Sequence, residues 1–367
     1  MLTPAIKRFD SACRRLLSSL GIPWWTGFAL AWFLPLATLA FFLTGPHAAG
    51  DALLWTAPVW LLIVADRVGP REVRNVPAHA PRAFFDTLLH GLVAFQLANV
   101  LAMGWMVSRL DFSLSDPASL GTAFANLLAL RILGGTNACC SVIAPAHELI
   151  HRRTRWQRRW GRILLMTVFY DHFHVAHRLG HHARLGSAGD PSTAEPREDY
   201  EAFCRRSLRQ QWRIAWQHQP GTVRQGLLVQ LALMAAYGVA FGGLALFAWC
   251  YINLVAVRLL EAVNYFQHFG MTQASGRARD TAWRCESALS LFLFLGLTRH
   301  ADHHRRPGIA YPELLDRGGP ACLPHGYLWT AIWVKNRSGS FRRWAAGQGF
   351  GAEAAGHPCR AAVSGEV

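Results

Sequence analysis

Nine of the seventeen histidines in this chain fall into four short clusters. In chain order the clusters read His147-Glu148-Leu149-Ile150-His151, His177-Arg178-Leu179-Gly180-His181-His182, Asn264-Tyr265-Phe266-Gln267-His268-Phe269-Gly270 and His300-Ala301-Asp302-His303-His304. Histidines four residues apart share one face of an α-helix, so the first two clusters each present a pair of imidazoles to a common point. The extra His182 points elsewhere and suits a second metal ion.

Nine imidazoles are more than one zinc ion uses, because zinc sites take three or four ligands. They suit two ions with about five or six ligands each. Each cluster follows an apolar segment and precedes an arginine-rich one, so all four are expected to meet at one cytosolic membrane boundary. The predicted ligands are His147, His151, His177, His181, His182, His268, His300, His303 and His304.

The histidines alone do not choose the metal, because neutral imidazole binds zinc, copper, iron and nickel. A site that faces an apolar helical bundle is well placed for an acyl or alkyl chain that partitions into lipid. Oxidation of such a chain needs a redox metal and O2, which favours iron.

Two other functions fit part of the pattern. His147, Glu148 and His151 also match the zinc-binding signature of metalloproteases, in which the glutamate is the general base. A protease site, however, would not use the other seven clustered histidines. A metal-binding or transport protein without catalytic activity is the second alternative, although transport sites usually lie near the middle of the spans.

The remaining histidines are interpreted mainly as structural. A single histidine such as His90, on the apolar face of a span, is more often a hydrogen-bonded or helix-contact residue than a ligand. His172 and His174 precede the second cluster and are candidates for contacts with the ligands. The structural interpretation also covers His47, His79, His218, His325 and His357.

The elements that must position the clusters are transmembrane helices. Hydrophobic residues make up 52% of the chain, with 15 Trp and 21 Phe, and they are concentrated in long runs separated by arginine-rich segments. This pattern predicts an all-α integral membrane protein with about six transmembrane helices and a cytosolic His-rich cap. The predicted spans are 22–45, 52–68, 84–107, 119–145 and two within 226–262, which would turn near Gly238–Gly243.

The loop charges predict the topology. Segments 46–51 and 108–118 contain one arginine between them, whereas 66–82 contains four and 152–162 contains six. By the positive-inside rule, both termini should face the cytoplasm, in a multi-pass protein of the cytoplasmic (inner) membrane. The net charge of +15 reflects this arrangement, because the arginines flank apolar runs and do not form a nucleic-acid-binding domain.

The chain is accordingly divided by its spans and clusters. The first apolar run is too long for a signal-peptide core, so it is predicted to remain as a span. The predicted regions are 1–145 (four spans), 146–225 (cytosolic, His-rich), 226–262 (two spans), 263–345 (cytosolic, His-rich) and 346–367 (a flexible tail).

At the four histidine motifs the chain resembles the membrane alkane monooxygenases and the xylene-type side-chain monooxygenases, within the fatty acid desaturase and hydroxylase superfamily. The resemblance rests on H-E-L-I-H, H-R-L-G-H-H, N-Y-F-Q-H-F-G and R-H-A-D-H-H, which occur in this order between about 140 and 315. The last two motifs are typical of the alkane and xylene branch, whereas the N-terminal spans match only in general pattern.

The resemblance implies a six-span bundle with a non-haem di-iron site that uses O2 and two electrons to hydroxylate a terminal methyl or alkyl group of an apolar substrate. Oxidation of an aromatic side chain, and desaturation or hydroxylation of an acyl chain, are the alternatives. The resemblance also implies that the nine histidines are the iron ligands. Glu148, Asp302 and Asn264 are then expected to orient ligands rather than to bind metal.

Family members of this kind receive electrons from a rubredoxin or a ferredoxin-type reductase. The eight cysteines contain no C-x-x-C pair, so the donor is expected to be a separate protein. The arginines of 152–162, with Arg305 and Arg306, either dock such an acidic partner or contact lipid headgroups.

Two departures from the family pattern concern the substrate and the activity. The alkane enzymes usually carry a polar stretch with His and Asn around a Trp between the third and fourth clusters. Here the segment 279–286 reads R-D-T-A-W-R-C-E, and only Trp283 matches. In the second motif, Ala176 stands where a glutamate often precedes the histidine.

Overall fold

The computed structural model describes Ser19 and residues 21–113, 115–271, 282–318 and 321–350. The predictions for the N-terminal end of the region 1–145, for His357, for the end of the tail and for 279–281 lie outside these ranges. The part of the chain that the structure describes is helical and contains no β-strand, only the isolated bridges Arg71–Ser287 and Arg284–Cys322.

Among the described residues, six helices are long and apolar enough to cross a membrane. Their exposed faces carry large apolar side chains, such as Leu61, Leu101, Phe124 and Val239, as expected for surfaces in contact with lipid. The prediction of an all-α membrane fold with six spans is confirmed. The spans are α1 (Trp24–Thr44), α2 (Ala49–Val68), α3 (Arg82–Val107), α4 (Pro117–His151), α8 (Pro220–Phe241) and α9 (Gly243–His268).

The last two spans extend beyond the predicted range 226–262 at both ends, and Gly242 separates them. Gly242 has φ +86° and ψ 168°, a conformation open essentially only to glycine, so α8 ends there and α9 can reverse direction. At the other ends, α8 begins at Pro220 and α9 continues to His268, with 22 and 26 residues respectively. Both helices are therefore long enough for the bilayer, and α9 carries the third cluster on its own last turn.

Shorter helices form a cap on the end of the bundle where α4 and α9 finish. Asp66, near the end of α2, is buried and fixes this cap, because it accepts hydrogen bonds from Ser287 Oγ (2.8 Å), Ser290 Oγ (2.6 Å) and Trp329 N (3.1 Å). The apolar segment Leu289–Leu297 is too short to span a membrane and begins in a largely buried helix of this cap. The helices are α5 (Arg155–Thr167), α6 (Phe173–Ala176, continued by His177–His181 and His182–Arg184), α7 (Tyr200–His218), α10 (Ala288–Leu293), α11 (His300–Arg305) and α12 (Tyr327–Gly347).

Spans α3, α4 and α9 pack against one another at the centre of the bundle. The first turn of α4 is capped by Asp116, whose side chain accepts a hydrogen bond from Ala118 N at 3.0 Å. Two of these central spans, α4 and α9, end in histidine clusters, so the centre of the bundle leads directly to the cap.

Candidate metal centre

All nine clustered histidines meet at the junction of the bundle and the cap. They form two groups, and within each group one ring nitrogen per residue lies within 4.8 Å of the others. The five-histidine group is His147, His151, His177, His182 and His303. The four-histidine group is His181, His268, His300 and His304.

Ring nitrogens in both groups face one another at distances that suit a shared ion. Nε2 of His182 lies 2.9 Å from Nε2 of His177 and 3.3 Å from Nε2 of His303, and the Nε2 atoms of His181 and His304 are 3.0 Å apart. Two nitrogens bound at about 2.1 Å to one metal, at right angles, would be about 3.0 Å apart. The histidines are therefore already spaced as ligands of two ions.

The first cluster supplies two further nitrogens that need a partner. Nε2 of His147 and Nε2 of His151 are buried and have no hydrogen-bond partner in the described part of the chain. A buried polar atom without a partner is costly, and a metal ion at the centre of the five-histidine group would satisfy both nitrogens. The residues present therefore fit a pair of metal ions.

A π-helical turn divides the second cluster between the two groups. The backbone N–H of His182 donates to the carbonyl of His177, five residues earlier, within the π-helical segment His177–His181. The wider turn aligns residues five apart, so His177 shares its group with His182, and His181 faces the other group. The expected pairing of His177 with His181 assumed an ordinary α-helix and differs from the structure for this reason.

The cap histidines are held neutral by their surroundings. Burial lowers the pKa of His177, His300, His303 and His304 well below the usual value, and the neighbouring imidazoles lower these pKa values further. Burial and His181 lower the pKa of His182 to about 2. A neutral imidazole keeps the lone pair that a metal ligand needs, so the cluster is suited to bind cations rather than protons.

Asp190 holds one of these histidines in place and was not predicted from the sequence. Nδ1 of His181 lies 2.8 Å from Oδ1 of Asp190, and both side chains are buried. Although burial alone would raise it, the pKa of Asp190 falls to about 2, chiefly because of His181 and its hydrogen bond. A carboxylate at Nδ1 fixes the tautomer that leaves Nε2 free to bind metal.

Comparison with known proteins places these motifs in a family. The sequence profile of the fatty acid desaturase family matches residues 122–329, more than half of the chain. The chain belongs to the fatty acid desaturase family. The match begins in α4 and ends in α12, so it includes all four histidine clusters and both predicted metal groups.

Individual relatives specify the branch of this family. Alkane 1-monooxygenase 2 of Pseudomonas aeruginosa is 24% identical over 91% of this chain and 92% of its own length. Alkane 1-monooxygenase 1 of the same organism is 30% identical over 50% of this chain and 54% of its own length. The xylene/toluene monooxygenase hydroxylase component of Pseudomonas putida is 24% identical over 67% of this chain and 70% of its own length.

These relatives confirm that this desaturase-family chain belongs to the alkane and xylene monooxygenase branch. The chain is thus an O2-dependent oxidoreductase and a multi-pass membrane protein. The assignment leaves the zinc-protease and transport interpretations without support.

Two of the three residues expected to orient ligands, Glu148 and Asp302, have other contacts in this desaturase-family chain. Glu148 forms an ion pair with Arg152, whose Nε lies 2.8 Å from a carboxylate oxygen, and accepts a hydrogen bond from Tyr311 N at 3.1 Å. Asp302 pairs with Arg306 and with Arg317, which lowers its pKa, and accepts a hydrogen bond from Leu315 N. In the described ranges, the two carboxylates contact arginines and backbone amides rather than histidine rings.

Asn264 lies one turn before His268 on α9 and is buried. One turn earlier on the same helix, Glu261 is fully buried and was missed by the sequence analysis. Oε1 of Glu261 accepts hydrogen bonds from Tyr170 Oη and Gln211 Nε2, both at 2.8 Å. The signal was available, because a carboxylate inside an apolar span is rare and usually functional or paired.

His172 and His174 are not members of either metal group. The His172 ring stacks on Trp212, with the ring centroids 3.9 Å apart. Nδ1 of His174 lies 2.5 Å from the carbonyl oxygen of Asp171. His90, interpreted as structural, packs against Trp156.

A basic pocket of about 320 Å³ opens at the surface beside the five-histidine group. Two members of that group, His151 and His182, line the pocket and are partly exposed. We call this feature the arginine mouth; its charged lining residues are Arg152, Arg153, Arg158 and Arg178. In the arginine mouth, the rings of His151 and His182 are thus partly exposed at a positively charged surface.

Proposed function

We propose that this desaturase-family protein hydroxylates a terminal methyl or alkyl group of an apolar substrate at a pair of non-haem iron ions. The observation that carries the proposal is the division of nine buried or half-buried histidines into groups of five and four. The relatives named as alkane 1-monooxygenases support the substrate class. When bound, the two iron ions supply the redox chemistry by which O2 and two electrons oxidise a C–H bond.

The residues of the chain hold and enclose this centre. Burial keeps the cap histidines neutral, and Asp190 holds the His181 ring so that its Nε2 faces the four-histidine group. The apolar interior of the bundle ends directly at His147 on α4 and His268 on α9. We infer that the substrate approaches through this interior with its reactive carbon toward the cap, where little water competes.

The reaction balance sets what the partner must deliver. One oxygen atom of O2 enters the C–H bond as a hydroxyl group, and the other leaves as water with two protons and two electrons. We infer that a separate rubredoxin or ferredoxin-type protein supplies the electrons at the arginine mouth. An acidic carrier would be attracted to the positive surface, and His151 and His182 bring the centre close to it.

The same arrangement supports a location in the cytoplasmic (inner) membrane with both termini in the cytoplasm. The arginine mouth and the arginine-rich segment 152–162 lie on the side of the bundle that carries the cap. The positive-inside rule assigns this side to the cytoplasm, where soluble reductases are available.

Purified protein in lipid nanodiscs, supplied with a rubredoxin and its reductase, tests the proposal. We expect two iron ions per chain and conversion of a medium-chain alkane to the primary alcohol. His303→Ala should abolish activity and remove the ion of the five-histidine group. His218→Ala is the matched control, because His218 is exposed at the end of α7. Two bound iron ions without any alcohol from alkanes would refute the alkane assignment.

The xylene/toluene relative motivates a second candidate, oxidation of an aromatic methyl group. Product analysis separates the possibilities. Xylene would give a benzylic alcohol, an alkane would give a primary alcohol, and an acyl desaturase would give an alkene.

A further inference from the structure

A small cavity with polar side chains in its wall lies inside the bundle, next to the end of α5. Its volume is about 20 Å³, and spans α1, α3, α4 and α9 line it. Four carboxamide side chains contribute to its wall. They are Gln96, Asn99, Asn137 and Asn253, and we call the feature the amide cavity. Polar side chains inside a membrane bundle are costly and commonly mark a substrate path.

Two of the four carboxamides donate hydrogen bonds within the protein, both to Thr167. Gln96 Nε2 donates to Thr167 Oγ1 at 2.9 Å, and Asn253 Nδ2 donates to the carbonyl of Thr167 at 3.1 Å. These bonds fix α3 and α9 against the end of α5. Gln96 and Asn253 therefore have a structural role that explains their presence.

The other two carboxamides each present an unsatisfied oxygen. Oδ1 of Asn99 and Oδ1 of Asn137 are buried and have no hydrogen-bond partner among the described residues. The orientation of the Asn99 amide is fixed, because its Nδ2 donates to the carbonyls of Pro35 (3.1 Å) and Phe95 (2.9 Å). Its oxygen must therefore be the free atom. Both side chains are only 3% exposed, so bulk water does not satisfy them.

A third unsatisfied oxygen lies between the cavity and the metal groups. Oγ of Ser141, four residues after Asn137 on α4, is buried and also lacks a partner in the described part of the chain. His147 follows six residues later. At 1.5 Å per residue, Asn137 lies about 15 Å along α4 from His147, roughly half the thickness of the hydrocarbon core.

The chemistry of the wall defines the group that would bind. Oδ1 atoms only accept hydrogen bonds, so the complementary group must donate one. No charged side chain lines the amide cavity, which disfavours an ammonium or a carboxylate. Phe42, Met103 and Ile252 add apolar surface to the wall, and the volume of about 20 Å³ admits only a group the size of one water molecule or one hydroxyl group. A neutral hydroxyl group at the end of an apolar chain meets all of these conditions.

We propose that the substrate of this enzyme is a medium-chain molecule with a neutral hydrogen-bond donor, such as a hydroxyl group, at the end opposite the methyl group that is oxidised. The donor binds Asn99 Oδ1 and Asn137 Oδ1 while the methyl group reaches the histidine groups. The inference rests on the proposed function and refines its substrate class. A cavity of this size also accommodates one water molecule, which a hydroxyl group would displace.

The test compares dodecane, dodecanol and 1-fluorododecane, in which fluorine can accept but not donate. Dodecanol should have at least about tenfold higher kcat/KM than the other two, since an unpaired buried acceptor disfavours substrates without a donor. Its product should be the α,ω-diol. The methyl group takes one oxygen atom of O2, and the other atom forms water with two protons and two electrons from the donor protein.

Asn137→Leu should remove this preference and shift oxidation of dodecanol from the methyl end toward the carbinol carbon, where the added hydroxyl group gives a gem-diol that loses water to form the aldehyde. The matched control is Gln230→Leu. Gln230 is a buried span carboxamide whose Oε1 also lacks a described partner, but it does not line the amide cavity. Binding of radiolabelled dodecanol to the same proteins, measured by scintillation proximity, gives a readout that does not depend on turnover.

The outcomes distinguish this inference from the proposed function. Equal kcat/KM for dodecane and dodecanol, or a preference that Asn137→Leu leaves unchanged, would mean that the cavity holds a structural water and would overturn the inference alone. Failure of the iron-loaded protein to oxidise any of the three compounds would overturn the proposed function, and the inference with it.

Discussion

Replacing Asp190 by asparagine tests whether the second metal ion depends on a carboxylate beside His181. The asparagine has nearly the same shape, and its oxygen can still accept hydrogen bonds, but it carries no charge. A hydrogen bond to a charged group contributes about 1.5–3 kcal/mol, and loss of a carboxylate behind a ligating histidine typically costs about 10–100-fold in metal affinity. We therefore expect Asp190→Asn to weaken the ion of the four-histidine group by about that factor.

The assay is iron content per chain after equilibration with a series of chelator concentrations. Asp190→Asn should lose one ion at chelator concentrations where the wild type keeps two, and the five-histidine group should keep its ion. Thr193→Val is the matched control. It removes a hydroxyl that donates to Asp190 Oδ2 at 2.7 Å, and it leaves the contact between Asp190 and His181 in place.

Equal chelator resistance of both ions in Asp190→Asn would refute the reasoning. If Asp190→Asn lost both ions and the native fold together, the role of Asp190 would instead be to stabilise the loop that contains it. That alternative is structural, because Asp190 also accepts hydrogen bonds from Gly186 N at 3.0 Å and Ser192 N at 2.9 Å. The Thr193→Val control separates the two, because it disturbs the loop without changing the charge beside the histidine.

Three further predictions concern the π-helical turn of the second cluster, the arginine mouth, and the turn at Gly242 between α8 and α9. Inserting an alanine between Leu179 and Gly180 should place His177 and His182 six residues apart, move His182 out of the five-histidine group and leave fewer than two bound ions, as metal analysis will show. Charge reversal at Arg153 and Arg158 should raise the KM for an acidic electron-donor protein at least about tenfold at low salt. Reduction of the metal centre by dithionite should change little. The control is the same charge reversal at Arg205 and Arg209 on α7. Gly242→Ala should destabilise the protein by about 1–3 kcal/mol in thermal unfolding, whereas Gly243→Ala should not, because the added Cβ meets open space and Gly243 has no positive φ.

The sequence was sufficient to identify the histidines that meet at the cap. Two of the signals are local in the sequence: the four-residue spacing of His147 and His151, and the run of apolar spans. Regular helix geometry is enough to convert both signals into positions in the structure. His300 and His304, also four residues apart, likewise share one group. The six spans followed from hydropathy alone, and only their ends moved, since hydropathy does not show where polar residues continue a helix.

The features that were missed depend on departures from regular geometry or on distant contacts. An α-helical wheel cannot show that His177 and His182 align, because a π-helical turn is set by the packing around it. The role of Asp190 depends on a loop that folds back on His181, and the role of Glu261 depends on Tyr170 and Gln211 from two other segments. Glu148 and Asp302 were expected beside histidines because they are neighbours in sequence, but helix geometry turns their carboxylates toward arginines.

The distribution of the ligands along the chain has a consequence for biogenesis. The five-histidine group draws on residues from His147 to His303, and the four-histidine group on residues from His181 to His304. Spans enter the membrane in order from the N-terminus, but neither group is complete until the segment after the last span has left the ribosome. Metal insertion must therefore follow membrane insertion, and a nascent chain that stalls after α9 would be correctly inserted yet unable to complete either metal group.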